Sequence, residues 1–116
     1  MYQIFHNPRC KKSREALDFL EIKSVEHEVI LHLKNNLSKE QIKNLVNQLK
    51  IHPKNLIRIQ EKVWKENFKN KVLSVDQYYE ILINHPILLE RPIVTFSNTG
   101  IIAKPIDKLA NFIKKN

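Results

Sequence analysis

Along this chain the spacing of apolar residues switches several times, and each switch marks an element. Tyr2 to His6 alternates and carries Tyr, Ile and Phe, which predicts a strand, closed by Asn7-Pro8. From Ser13 the apolar residues Ala16, Leu17 and Leu20 recur at helical spacing to about Glu21. A second strand is predicted from about Glu26 to Leu31, so the first forty residues read strand, helix, strand. Ser38-x-x-Gln41 is a capping box that opens a helix carrying Ile42, Leu45, Val46 and Leu49, with His52-Pro53 as its stop. Ile59 to Phe68 predicts another helix. Ser74-x-x-Gln77 opens a third, with Val75, Tyr78, Tyr79, Leu82 and Ile83 as its buried stripe and His85-Pro86 as its end.

The last thirty residues return to strands. Pro92 to Phe96 and Ile101 to Ala103 flank Ser97-Asn98-Thr99-Gly100, a hairpin signal in which Gly100 is expected to supply the left-handed residue. Pro105 at a first helical position, followed by Ile106, Leu109, Ala110 and Ile113, predicts a closing amphipathic helix. The order β-α-β, helices, β-β-α predicts an α/β fold with a thioredoxin-like mixed sheet. It forms a single domain over residues 1–116, with a helical insertion at about 34–86.

Composition narrows the function. With 42% hydrophobic and 28% charged residues, 116 residues suffice for one core. No apolar run approaches the length of a membrane span, and the opening residues lack the pattern of a signal peptide. A soluble cytoplasmic protein, acting as a monomer without membrane partners, is expected. The single cysteine excludes an internal disulfide, and five scattered histidines without a second cysteine give no metal spacing. The net charge of +8 favours anionic partners. No helix-turn-helix or aromatic-basic signature accompanies it, so nucleic acid is not expected among them.

The informative detail is which cations are used. Only four of the twenty Lys and Arg are Arg: Arg9, Arg14, Arg58 and Arg91. Planar, bidentate binding of an oxyanion is work that Lys does poorly. Two of the four Arg lie within four residues of Cys10, which precedes a predicted helix N-terminus. There, free amide hydrogens and the helix dipole favour an anion. A free thiol is only about 3% ionised at pH 7, and the thiolate is the nucleophile. Arg9, Lys11, Lys12 and Arg14 lower the cost of ionisation, and His6 stands at the adjoining strand end. The backbone from Lys11 to Arg14, including Ser13, can also hold a tetrahedral oxyanion, so thiolate and anion site coincide.

The stretch His6-Asn7-Pro8-Arg9-Cys10-Lys11-Lys12-Ser13-Arg14 closely resembles the active-site loop of the glutaredoxin-coupled arsenate reductases. His85-Pro86-Ile87-Leu88-Leu89-Glu90-Arg91-Pro92-Ile93-Val94 resembles their second signature, and Leu56-Ile57-Arg58 and Ala103-Lys104-Pro105 also align. The resemblance implies a thioredoxin-like fold and reduction of arsenate, or a similar oxyanion, with no bound cofactor. Glutathione is the implied co-substrate and glutaredoxin the protein partner. Carried over, Cys10 is the nucleophile and His6 helps keep it ionised. Arg58 and Arg91 bind the oxyanion, and Pro92 is a cis-proline beside the thiol. A third oxyanion Arg of the family is Lys104 here, which keeps the charge and loses the planar fork.

Two other readings belong to the same superfamily. Spx-type transcription regulators, which bind RNA polymerase, typically carry a second cysteine where this chain has Ser13. A general glutathione-linked thiol oxidoreductase would use the same thiol without arsenate.

Overall fold

The computed structural model describes residues 1–116. Four short strands, β1 (Tyr2–Phe5), β2 (His27–Ile30), β3 (Ile93–Phe96) and β4 (Thr99–Ile102), form one mixed sheet in the order β2-β1-β3-β4. β1 pairs in parallel with β2, with Phe5 opposite Ile30, and antiparallel with β3, with Ile4 opposite Val94. Helix α1 (Lys11–Ile22) makes the crossover between β1 and β2 that a parallel pair requires. Helices α2 (Lys39–Leu49), α3 (Lys62–Asn67) and α4 (Val75–Asn84) fill the stretch between β2 and β3, and α5 (Ile106–Lys115) closes the chain. No helix is long and apolar enough to cross a membrane.

Alternation along the central strands sends neighbouring residues to opposite faces of the sheet. Ile4 and Val94 pack with Ala16, Leu20, Leu109 and Phe112 beneath α1 and α5. Phe5 and Ile93 pack with Ile42, Leu45, Leu56, Leu82 and Leu88 beneath the helical stretch. Trp64, Tyr78 and Tyr79 are buried in this second cluster as core residues.

Both capping boxes form. Ser38 Oγ accepts from the Gln41 amide and Gln41 Oε1 accepts from the Ser38 amide, and Ser74 and Gln77 repeat the arrangement. Other expectations shift. α1 begins at Lys11, two residues before Ser13, and α2 stops at Leu49, where Lys50 turns left-handed with φ 56°. His52-Pro53 therefore starts a short 3-10 turn instead of ending the helix. α3 covers only Lys62–Asn67, because Arg58 is drawn into a backbone bridge: its amide donates to Leu88 O at 2.7 Å and the Glu90 amide donates to Leu56 O at 2.7 Å. On α4, Ile81 is buried and Val75 is exposed, a rotation of the expected stripe.

Gly100 does not supply the left-handed residue of the hairpin. Phe96 pairs with Thr99, leaving a two-residue turn whose first position, Ser97, takes φ 55°. Gly100 lies inside β4, where a Cβ would come within 2.6 Å of the Leu49 side chain. Its small size admits α2 against the sheet. Pro105 is the residue before α5 and not its first. The Arg91-Pro92 and Lys104-Pro105 peptides are both cis.

Candidate active site

The loop from His6 to Cys10 is fixed by its own polar groups. Asn7, almost fully buried, accepts from the Arg9 amide through Oδ1 and from the Cys10 amide through its carbonyl, both at 3.0 Å. The Asn7 amide donates to Ser13 Oγ at 3.0 Å, and His6 Nδ1 shares a 2.6 Å hydrogen bond with the same hydroxyl. Ser13 is completely buried. It ties the first turn of α1 to the end of β1 and holds Cys10 at the N-cap, where no side chain caps the free amides.

Those amides are available to the cysteine sulfur. Burial pushes the Cys10 thiol up, but the Ser13 amide, the hydrogen bond and charge of the Arg91 guanidinium, and the Lys12 amide outweigh it, so the net shift is downward. Cys10 remains partly accessible. His6 is also shifted down, chiefly by burial and further by Arg14, against a hydrogen bond to Ser13 and the charge of Asp18. A neutral His6 bonded to Ser13 acts on the thiol through loop geometry more than through charge.

The cations expected from the sequence divide into two sets. Lys11 and Lys12 are exposed at the start of α1, and Arg14 turns away to donate from Nη1 to Pro8 O at 3.0 Å. These three brace or surround the loop. Arg91 is buried at 6% exposure, with Nη1 donating to Ile87 O at 2.8 Å. The bridge between Ile57 and Leu89 brings Arg58 to the segment that carries Arg91. The Ala103 amide donates to Pro92 O at 2.8 Å, placing Lys104 beside the same segment. Pro92 is fully buried. Two distant segments, those of Arg58 and Lys104, therefore meet the Arg91-Pro92 turn.

The sequence does not show the anions that pair with these cations. Glu61 Oε1 lies 3.1 Å from Arg58 Nε and 4.0 Å from Arg91 Nη2, and Glu90 Oε1 accepts from Lys104 Nζ at 2.9 Å. The spacing of Arg58 and Glu61, three residues apart, was the one available signal. A second unforeseen group is His32, which is 1% exposed with neither ring nitrogen hydrogen-bonded; Arg91 Nε is likewise unpartnered. Burial, reinforced by the charges of Arg91 and His6, pushes His32 down to about 4. It borders a void of about 10 Å³, the lower limit for one water. Nothing in its sequence neighbourhood marks it: only the parallel pairing of β1 and β2 carries it to His6. No three His, Cys, Asp or Glu side chains converge as metal ligands would.

Comparison with known proteins matches the ArsC family over residues 5–110. An arsenate reductase of Neisseria meningitidis serogroup A is 33% identical over 109 residues, covering 92% of this chain and 93% of that protein. An arsenate reductase of Haemophilus influenzae is 32% identical over 104 residues, covering 88% of this chain and 90% of its own length. The solved structure of an arsenate reductase from Vibrio cholerae superposes with a TM-score of 0.90 at 34% identity, covering 95% of each chain.

Proposed function

The chain belongs to the ArsC family, and on that premise we propose that it reduces arsenate to arsenite, with Cys10 as the nucleophile. Arg58, Arg91 and Lys104 bind the oxyanion, and glutathione and glutaredoxin supply the thiols. The observation that carries this reading is the place of Cys10, partly accessible at the uncapped N-terminus of α1, where the Arg91 guanidinium helps to shift its thiol downward. The group that ionises the nucleophile is also one that would hold the anion it attacks.

The chemistry follows from the charges. The Cys10 thiolate attacks arsenic and a sulfur–arsenic bond forms, while an arsenate hydroxyl takes up one proton from solvent and leaves as water with cleavage of its arsenic–oxygen bond. Cations around the remaining oxygens stabilise the charge that develops there. Taking arsenic from the +5 to the +3 state needs two electrons, which two thiols provide by ending as one disulfide. This chain has one cysteine, and Ser13 is a buried hydroxyl already engaged by Asn7 and His6. The second thiol therefore comes from outside: glutathione attacks the adduct and glutaredoxin clears the mixed disulfide. The reducing cytoplasm is where such thiols are maintained.

A coupled assay tests the reading, following NADPH oxidation with arsenate, glutathione, glutaredoxin and glutathione reductase. Wild type should turn over and Cys10→Ser should not, and omitting glutathione should leave at most one stoichiometric reaction. Reduction of a glutathionylated protein by wild type that is inert toward arsenate would favour the general thiol oxidoreductase instead.

A further inference from the structure

Every cation assigned to the oxyanion faces a carboxylate inside the protein. Glu61 uses a single oxygen toward both Arg58 Nε and Arg91 Nη2, and Glu90 holds Lys104. These are not open surface pairs. The side chains of Arg58, Glu61, Glu90 and Lys104 are between 16% and 29% exposed, and that of Arg91 is 7% exposed. Screening by water and salt is therefore weaker here than at the rim, where Arg9, Lys11, Lys12 and Arg14 are solvated.

The local charge balance then decides what can enter. Arg58, Arg91 and Lys104 bring three positive charges and Glu61 and Glu90 two negative ones, so the cation side keeps a single surplus positive charge, with Cys10 or with serine in its place. The two imidazoles on the other side, His6 and His32, are held neutral by burial. Because Glu61 takes the Nε of Arg58, both terminal nitrogens of that guanidinium remain unengaged. The cation side thus offers hydrogen-bond donors in planar array with only one surplus charge. Such a site suits a ligand that is rich in oxygens and carries little charge.

We propose that Glu61 and Glu90 are specificity-determining residues that tune this cluster of cations to the singly charged, partly protonated form of a tetrahedral oxyanion and against the doubly charged form. The inference deepens the arsenate reading and rests on it for its meaning. A monoanion carries two hydroxyl groups, one of which can leave as water, and it repels an approaching thiolate less than a dianion does. Both carboxylates serve the reaction by keeping the more repulsive ionic form out.

Anion binding to Cys10→Ser protein, measured by calorimetry, isolates this from thiol titration and from turnover. Phosphate passes from monoanion to dianion across neutral pH, whereas sulfate is a dianion throughout. Phosphate should bind several-fold more weakly at mildly alkaline than at mildly acidic pH, and sulfate should be the weaker ligand under acidic conditions. In the same background, Glu61→Gln and Glu90→Gln should each raise sulfate affinity by roughly three- to tenfold and flatten the pH dependence for phosphate. Sulfate matching phosphate under acidic conditions, phosphate tightening as pH rises, or neither ion binding would each overturn the proposal. The profile with both glutamates in place decides the question if a glutamine variant does not fold. Failure of arsenate turnover with this binding pattern intact would remove the reductase reading alone.

Discussion

The two sides of the candidate site are built in opposite ways. On the nucleophile side everything is local: His6, Asn7, Cys10 and Ser13 lie within eight consecutive residues and bond to one another. On the cation side Arg58, Arg91 and Lys104 come from three segments, joined by the Ile57–Leu89 bridge and the Ala103 to Pro92 hydrogen bond. The first side is a turn stapled to a helix start and can be preorganised by sequence neighbours. The second exists only once the helical stretch has packed against the sheet. Reactivity of the thiol and recognition of the anion should therefore be separable by mutation, except at Arg91, which belongs to both.

Arg91→Ala is the sharpest way to break that distinction. It removes a buried guanidinium that donates to Ile87 O and acts on Cys10, and it leaves Glu61 facing only Arg58. Loss of a partner from a buried charged cluster costs about 3–5 kcal/mol. Arsenate kcat/KM should fall by two or more orders of magnitude, with alkylation of Cys10 by a neutral reagent slowed at neutral pH. Steady-state kinetics and alkylation rates on the same preparation check it. A loss confined to anion kinetics would confine Arg91 to the cation side.

His32 gives the next largest effect, and it is one of folding. Its neutral form is favoured in the fold, with a value of about 4 against 6.5 when free. The unfolded chain thus binds the proton more readily between those values. Stability contributed by keeping His32 neutral is complete above 6.5 and lost as pH falls toward 4, about 3 kcal/mol in all. His6 is shifted in the same direction and adds to the trend. Urea midpoints from pH 7 down to about 4 should fall in wild type, and the fall should be smaller in His32→Phe. Equal slopes would show that His32 is not the group taking up the proton.

How far the sequence led follows the same division. The capping boxes, the β-α-β start and the Cys10 loop are local signals, read from residues a few positions apart, and their elements form within about two residues of the predicted bounds. Gly100 was misplaced because a turn position and a close approach both call for glycine. Only the pairing of Phe96 with Thr99, together with the nearness of Leu49, separates the two. Periodicity extends α3 too far toward its N-terminus because it cannot show that Arg58 is held in a bridge to Leu88. At the site, the scarcity of Arg singled out Arg58 and Arg91, and resemblance alone brought in Lys104. Glu61, Glu90 and His32 had no legible role, since theirs depends on contacts that long-range packing creates.

The smallest effect sharpens the comparison from the cation side. Lys104 presents a point charge, where Arg would add a planar fork. Lys104→Arg should gain about 1 kcal/mol toward the anion, lowering the KM for arsenate several-fold. Alkylation of Cys10 by a neutral reagent should not change. An altered alkylation rate would mean that Lys104 reaches the nucleophile side as well.

The meeting of the two sides at the Cys10 sulfur is tested most directly by titrating that thiol, through thiolate absorbance or alkylation rate against pH, in wild type and in Arg91→Gln. The net downward shift means that the ionised form stabilises the fold fully above the free-thiol value, a contribution lost as pH falls through the lower folded value. The wild-type midpoint should lie below the free value of about 8.5, with Arg91→Gln moving it upward. A wild-type midpoint at or above that value, or one unmoved by Arg91→Gln, would contradict it.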